Sequence, residues 1–207
     1  MRYILISDGS SDKALLPIID FLLKSIVPDE DIIGERADLA RLPKPPKRLE
    51  EKILTALELY EPDYIFIHRD AEKMLLSERD NEIEIAIQKV RAKTAATNPF
   101  FKLIPIKMTE AWLLIDEKAI KHASGNPNSR IRLDMPSIKN LEKISNPKRI
   151  LEQLIKSASG LSGRRLQSLN LRMHIQLVSM YIDDFSVLEG LVAYKHFKTQ
   201  VIRCFNS

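Results

Sequence analysis

The chain has 207 residues, 44% hydrophobic and 29% charged, with no low-complexity tract, which excludes a disordered or fibrous protein and supplies one folded core. Its formal charge of +4 and pI of about 9.1 are a mild surplus, compatible with nucleic-acid contact but short of demanding it. One cysteine, Cys204, excludes an internal disulfide and points to a reducing, cytoplasmic compartment; the acids Asp8 and Asp12 speak against a signal peptide, and no apolar run reaches membrane-spanning length.

Residues 3–6 read as a first strand that breaks at "SDGSSD". Leu15, Ile18, Ile19, Leu22, Leu23 and Ile26 then recur at helical spacing, predicting a helix over 12–27 with Ser10 or Ser11 as N-cap and a start kinked at Pro17. Residues 28–48 are irregular, with a short strand at 31–34. A helix over 49–60 ends before Pro62. "DYIFIH" is the clearest strand. A helix over 81–94 carries Ile83, Ile87 and Val90 on one face, and "FFKLIPIKM" reads as a further strand. Thr109 is the expected N-cap of a helix running to 123. Loop signals return at "SGNPNSRIRLDMPS", and everything from 146 onward is helical. Alternating strands and helices predict an α/β fold with a mainly parallel sheet flanked by helices over 1–145, and a helical C-terminal extension over 146–207 packed on it.

Carboxylates follow three of the strands. Asp8 and Asp12 follow the first, Asp70 and Glu72 follow "DYIFIH", and Glu110 follows "LIPIKM". Ligands of open α/β sheets bind outside the carboxyl ends of the strands. If these strands are neighbours, the acids converge, and converging carboxylates call for a cation or a proton. An all-oxygen set suits Mg²⁺ or Mn²⁺, which polarises a phosphate oxygen and activates water. The competing reading is local: a solvated Asp-x-Glu loop, with Asp12 and Glu110 as acids in the first turns of helices.

Three stretches carry a resemblance. "ILISDGSSDKALLPIIDFLL" resembles the opening motif of Toprim-type domains, and "YIFIHRDAEK" resembles their later Asp-x-Asp motif. "IPIKMTEAWLLIDEKAI" is similar to the E-A-W-L-L-x-D stretch of a Toprim-like family of unknown function, related to the nuclease domains of the overcoming-lysogenisation-defect (OLD) proteins. The resemblance covers residues 1–125 and implies a Toprim-like fold with Mg²⁺-dependent phosphoryl transfer on nucleic acid, in phage-defence or mobile-element settings. By position it implies Asp8, Asp70, Glu72 and Glu110 as catalytic and metal-ligating residues. Asp8 stands where such domains usually carry Glu, and Glu72 where they carry the second Asp, so one arm is shorter and the other longer.

The expected function is a nuclease hydrolysing phosphodiester bonds in DNA or RNA. The alternatives are a catalytically weakened Toprim-like binding or regulatory subunit, and a small-molecule phosphotransferase or phosphatase. No Walker-A loop is present, so any ATPase would be a separate partner chain. His68 reads as a base, a metal ligand or a hydrogen-bonding strand-end residue. Arg69 and Lys73 read as phosphate contacts or as local partners of Asp70 and Glu72. Trp112 reads as core and Asp116 as structural. Lys148, Arg149, Lys156, Arg164 and Arg165 form either a phosphate-contacting patch or solvated surface.

Overall fold

A computed structural model describes residues 1–206. Among them, four strands form one parallel sheet: β1 (Arg2–Ile6), β2 (Ile33–Arg36), β3 (Tyr64–His68) and β4 (Phe100–Leu103), in the order β2-β1-β3-β4. β1 and β3 pair in register from Tyr3↔Tyr64 to Ile6↔Ile67, and β3 and β4 from Ile65↔Phe100 to His68↔Leu103. The helices are α1 (Leu16–Ile26), α2 (Leu49–Tyr60), α3 (Leu76–Arg91), α4 (Glu117–Ala123), α5 (Pro147–Ser159), α6 (Gly163–Gln167), α7 (Leu171–Tyr181) and α8 (Val192–Phe205). The chain is therefore α/β, with a parallel sheet between helical layers and no strand after β4 among the described residues.

The period of two along each strand builds a separate core on each face. Ile4, Ile6, Ile65 and Ile67 pack against Ile53 and Ala56 of α2 and Ile83, Ile87 and Val90 of α3. Tyr3, Leu5, Phe66, Phe101 and Leu103 pack against α1 and also against Leu151, Ile155, Val178 and Phe197 from the C-terminal helices. Helix α8 also covers the outer edge of β4. Lys102 N–H donates to Gln200 Oε1 at 3.0 Å, and Gln200 Nε2 donates back to the Lys102 carbonyl at 3.1 Å. Those groups would otherwise stand as an unpaired strand edge. No helix among the described residues is long and apolar enough to cross a membrane.

Several boundaries differ from the sequence reading. The first helix starts as a 3₁₀ turn (Ser10–Leu15) and becomes α-helical only at Leu16, with Pro17 in the first turn, where its missing N–H has no intrahelical partner. Neither Ser10 nor Ser11 caps it. The short strand lies two residues later than expected. α3 begins at Leu76 rather than 81, because Glu78 turns back to accept the Leu75 N–H at 2.8 Å and holds a polar first turn that shows no apolar stripe. The expected single helix from Thr109 is two pieces, a 3₁₀ turn (Thr109–Leu113) and α4. Asp116 caps α4, accepting from Lys118 N–H at 2.7 Å and Ala119 N–H at 3.1 Å. Its structural role was expected; the N-cap role of Thr109 is replaced by another.

Candidate active site at the carboxyl edge of the sheet

The acid-bearing strands are neighbours. Because β3 lies between β1 and β4, the loops that follow all three open on one side. They enclose a cavity of about 440 Å³ lined by Asp8, Gly9, Asp12, His68, Asp70, Glu72 and Glu110, with Arg69, Arg79 and Lys148 on its walls. Ladder-like hydrogen bonds continue past the strand ends: Ala71 N–H donates to the Pro105 carbonyl at 2.9 Å, and Glu72 N–H to the Lys107 carbonyl at 3.1 Å. Glu72 (φ 53°) and Lys107 (φ 69°) both adopt left-handed backbone, a conformation that costs a non-glycine residue about 1 kcal/mol and turns the two loops sharply.

At the floor lies a buried polar cluster. His68 closes β3 with only 4% of its side chain exposed. Its Nδ1 is 3.4 Å from Asp12 Oδ2 and its Nε2 is 3.2 Å from Asp70 Oδ1. Asp12 Oδ2 also accepts the Gly9 N–H at 2.9 Å, which fixes it in the 3₁₀ turn after β1. Thr109 holds Asp70 from the other side, donating to Oδ1 from its backbone N–H at 2.8 Å and from its hydroxyl at 3.1 Å; its Oγ1 is also 3.0 Å from His68 Nε2. Burial alone would lower the His68 pKa, but its interactions with Asp12 and Asp70 outweigh it and raise the value to about 9. His68 is thus an imidazolium at neutral pH, its Nε2 within hydrogen-bond distance of Asp70 and Thr109 and its Nδ1 facing Asp12 as an ion pair without a hydrogen bond. Burial would raise the Asp12 carboxyl, and the His68 cation reverses that and holds it below the usual range.

The other acids differ in how much they are engaged. Asp8 is half-exposed and paired twice, its Oδ1 2.5 Å from Lys52 Nζ and its Oδ2 3.2 Å from Arg69 Nε. Burial opposes its ionisation, yet Lys52 and Arg69 together lower its pKa. Arg69 also pairs with Glu82, which in turn holds Arg79, so Arg69 bonds to Asp8 and Glu82 rather than to Asp70 and Glu72. Lys73 is exposed. Glu110 is buried, and its closest cation is Lys148 Nζ at 3.9 Å. Its pKa is raised, chiefly by burial; a hydrogen bond at its own backbone and the Lys148 charge oppose this, while Asp70 and Asp12 reinforce it. Trp112 is fully buried against Tyr194, at 5.5 Å between ring centroids, as core packing requires.

Among the described residues no three His, Cys, Asp or Glu side chains stand as a ready-made metal cage. Such a cage is what Zn²⁺ takes; Mg²⁺ is held by one or two carboxylates and keeps waters and substrate phosphates in its other positions. The available donors are all oxygens, with Asp70 fixed through one oxygen and Glu72 and Glu110 without close cation partners. The donor chemistry fits a hard divalent cation bound by part of this set.

Sequence reasoning missed the buried unit of His68, Thr109 and Asp12. His68, already readable as a hydrogen-bonding strand-end residue, stands 41 positions from Thr109, which opens a 3₁₀ turn six residues beyond β4, and nothing in the sequence links the two. Compared with known proteins, the chain matches no family model, no curated protein and no solved structure.

Proposed function

We propose that the chain is a Toprim-like, Mg²⁺-dependent nuclease that hydrolyses phosphodiester bonds in nucleic acid. The observation that carries this reading is the convergence of Asp8, Asp70, Glu72 and Glu110, from the ends of three adjacent parallel strands, on one cavity walled by Arg69, Arg79 and Lys148. Carboxylates for a cation beside cations for a phosphate are the pairing that phosphoryl transfer needs.

Asp70 is the central metal donor, because Thr109 and His68 fix its Oδ1 and leave Oδ2 as the donor oxygen. Glu72 and Glu110 supply further oxygens. Held by these oxygens, Mg²⁺ would supply polarisation of a phosphate oxygen and a more acidic water. Arg79 and Lys148 take the non-bridging phosphate oxygens. Glu110 would accept the proton from the water as it attacks phosphorus; the departing sugar oxygen would take one up from solvent. Asp8 orders Lys52 and Arg69 along the rim.

The test is cleavage of a labelled polynucleotide with Mg²⁺ or Mn²⁺, by wild type and by Asp70→Ala. Metal-dependent cleavage lost in the variant is expected; a folded wild type without turnover in either metal contradicts the reading. The ion pairing of Asp8 favours a second reading, a weakened site in a binding or regulatory subunit. Polynucleotide binding that survives Asp70→Ala, with no turnover in either protein, selects it.

A further inference from the structure

We propose that a single nucleic-acid strand enters the acidic cavity through the cleft between α5 and α7, held there by Lys148 and Arg172. The destination of the strand rests on the nuclease reading; the cleft and its cations do not.

The cleft has a volume of about 300 Å³ and is lined by Ser11, Glu110, Lys148, Glu152, Arg172 and Ile175. Ser11, Glu110 and Lys148 also line the acidic cavity, so the two spaces adjoin and share these residues. Lys148 lies in the first turn of α5 and Arg172 in the first turn of α7, so two positive helix ends add to two side-chain charges on facing walls. Arg172 has no ion pair among the described residues, and the nearest carboxylate to Lys148 is 3.9 Å away. Cations left this loosely matched are available to phosphates.

The charge of the whole chain points to the same segment. Residues 146–176 carry six Lys or Arg and one acid, Glu152, so the chain's net +4 is concentrated here and the remainder is close to neutral. A space of this size takes a ligand of drug-like dimensions, which fits one strand and not a duplex. No aromatic side chain lines the cleft, so the grip is on the backbone and indifferent to base sequence.

The experiment is fluorescence anisotropy of a labelled mixed-sequence single strand in EDTA, titrated across salt concentrations. Wild type is expected to bind. Lys148→Ala/Arg172→Ala, with unchanged circular dichroism and melting, is expected to bind about tenfold more weakly. Its slope of log affinity on log salt should be shallower by about 1.4, from ~0.7 per lost contact. Glu152→Lys is expected to tighten binding, a gain that a purely structural role for this face does not produce. Absence of wild-type binding, equal affinity and slope in the double variant, or tighter binding of a hairpin duplex overturns the proposal. Arg172→Ala, which leaves every catalytic group in place, tells the two apart: if it binds and cuts like wild type, the track is removed and the nuclease stands. Binding that depends on Lys148 and Arg172, without cleavage in any metal, removes the nuclease and leaves the track.

Discussion

Asp70 is controlled by two buried residues, Thr109 and His68. Thr109 gives Asp70 Oδ1 two hydrogen bonds and His68 faces it at 3.2 Å, so the carboxylate is oriented before any ligand arrives. Removing an oriented carboxylate's support typically costs 10–100-fold in metal affinity or activity. Thr109→Val keeps the shape and the backbone donor; it is expected to lower activity by about tenfold, at the gentle end of that range, while Thr109→Ser restores it. Equal activity in all three proteins contradicts the role. His68 makes a separate statement about stability. Its folded pKa of about 9 lies above its ordinary value of 6.5, so the native state binds the proton more tightly than the unfolded chain. The stabilisation is complete below pH 6.5 and is lost as pH rises through 9. Denaturant midpoints of the wild type are expected to fall across that window, and His68→Gln to start lower and stay flatter. Parallel profiles for the two proteins contradict it. From the sequence, Asp70 and Glu110 were legible as acids after strands. The third dimension of the cluster was not, because Thr109 before an apolar run carries the same signature as a helix N-cap.

At the level of elements, the strands and the helix over Leu49–Tyr60 were legible, and the starts of α1, α3 and α4 were not. Strands announce themselves through β-branched and aromatic runs, and the three that carry the site stand in the structure, although β4 ends at Leu103 where a strand to 108 was expected. Helix starts depend on which side chain reaches back to which N–H, and the polar turns before α3 and α4 hide that from periodicity. The pairing of β1 with β2 has a sharper requirement. Gly34 faces Tyr3, and a Cβ there would lie 2.1 Å from the Tyr3 ring. The ring cannot retreat: it packs edge-on to Phe66, and its hydroxyl donates to Asp20 at 2.8 Å. Gly34→Ala is expected to destabilise the protein by about 1–3 kcal/mol, the usual cost of overpacking a filled core. Chemical denaturation measures it, and a change below about 0.5 kcal/mol, the ordinary scatter of a surface substitution, contradicts the fit.

Across the whole molecule, the C-terminal helices do two things at once. They close one face of the sheet, contributing Leu151, Ile155, Val178 and Phe197 to its core, and they set Lys148 and Arg172 beside the acidic cavity. The order β2-β1-β3-β4 makes the acids neighbours. Sequence allows that adjacency to be supposed, but only the fold decides it, because strand order follows from which strands pair and not from local pattern. What the convergence means is a question of metal. Isothermal titration of the purified protein with Mn²⁺ asks it most directly. The expected result is saturable binding by wild type that Asp70→Ala removes while its melting transition is retained. A folded wild type that takes up no Mn²⁺, or an Asp70→Ala variant that binds it equally well, contradicts a metal-dependent site at this edge of the sheet.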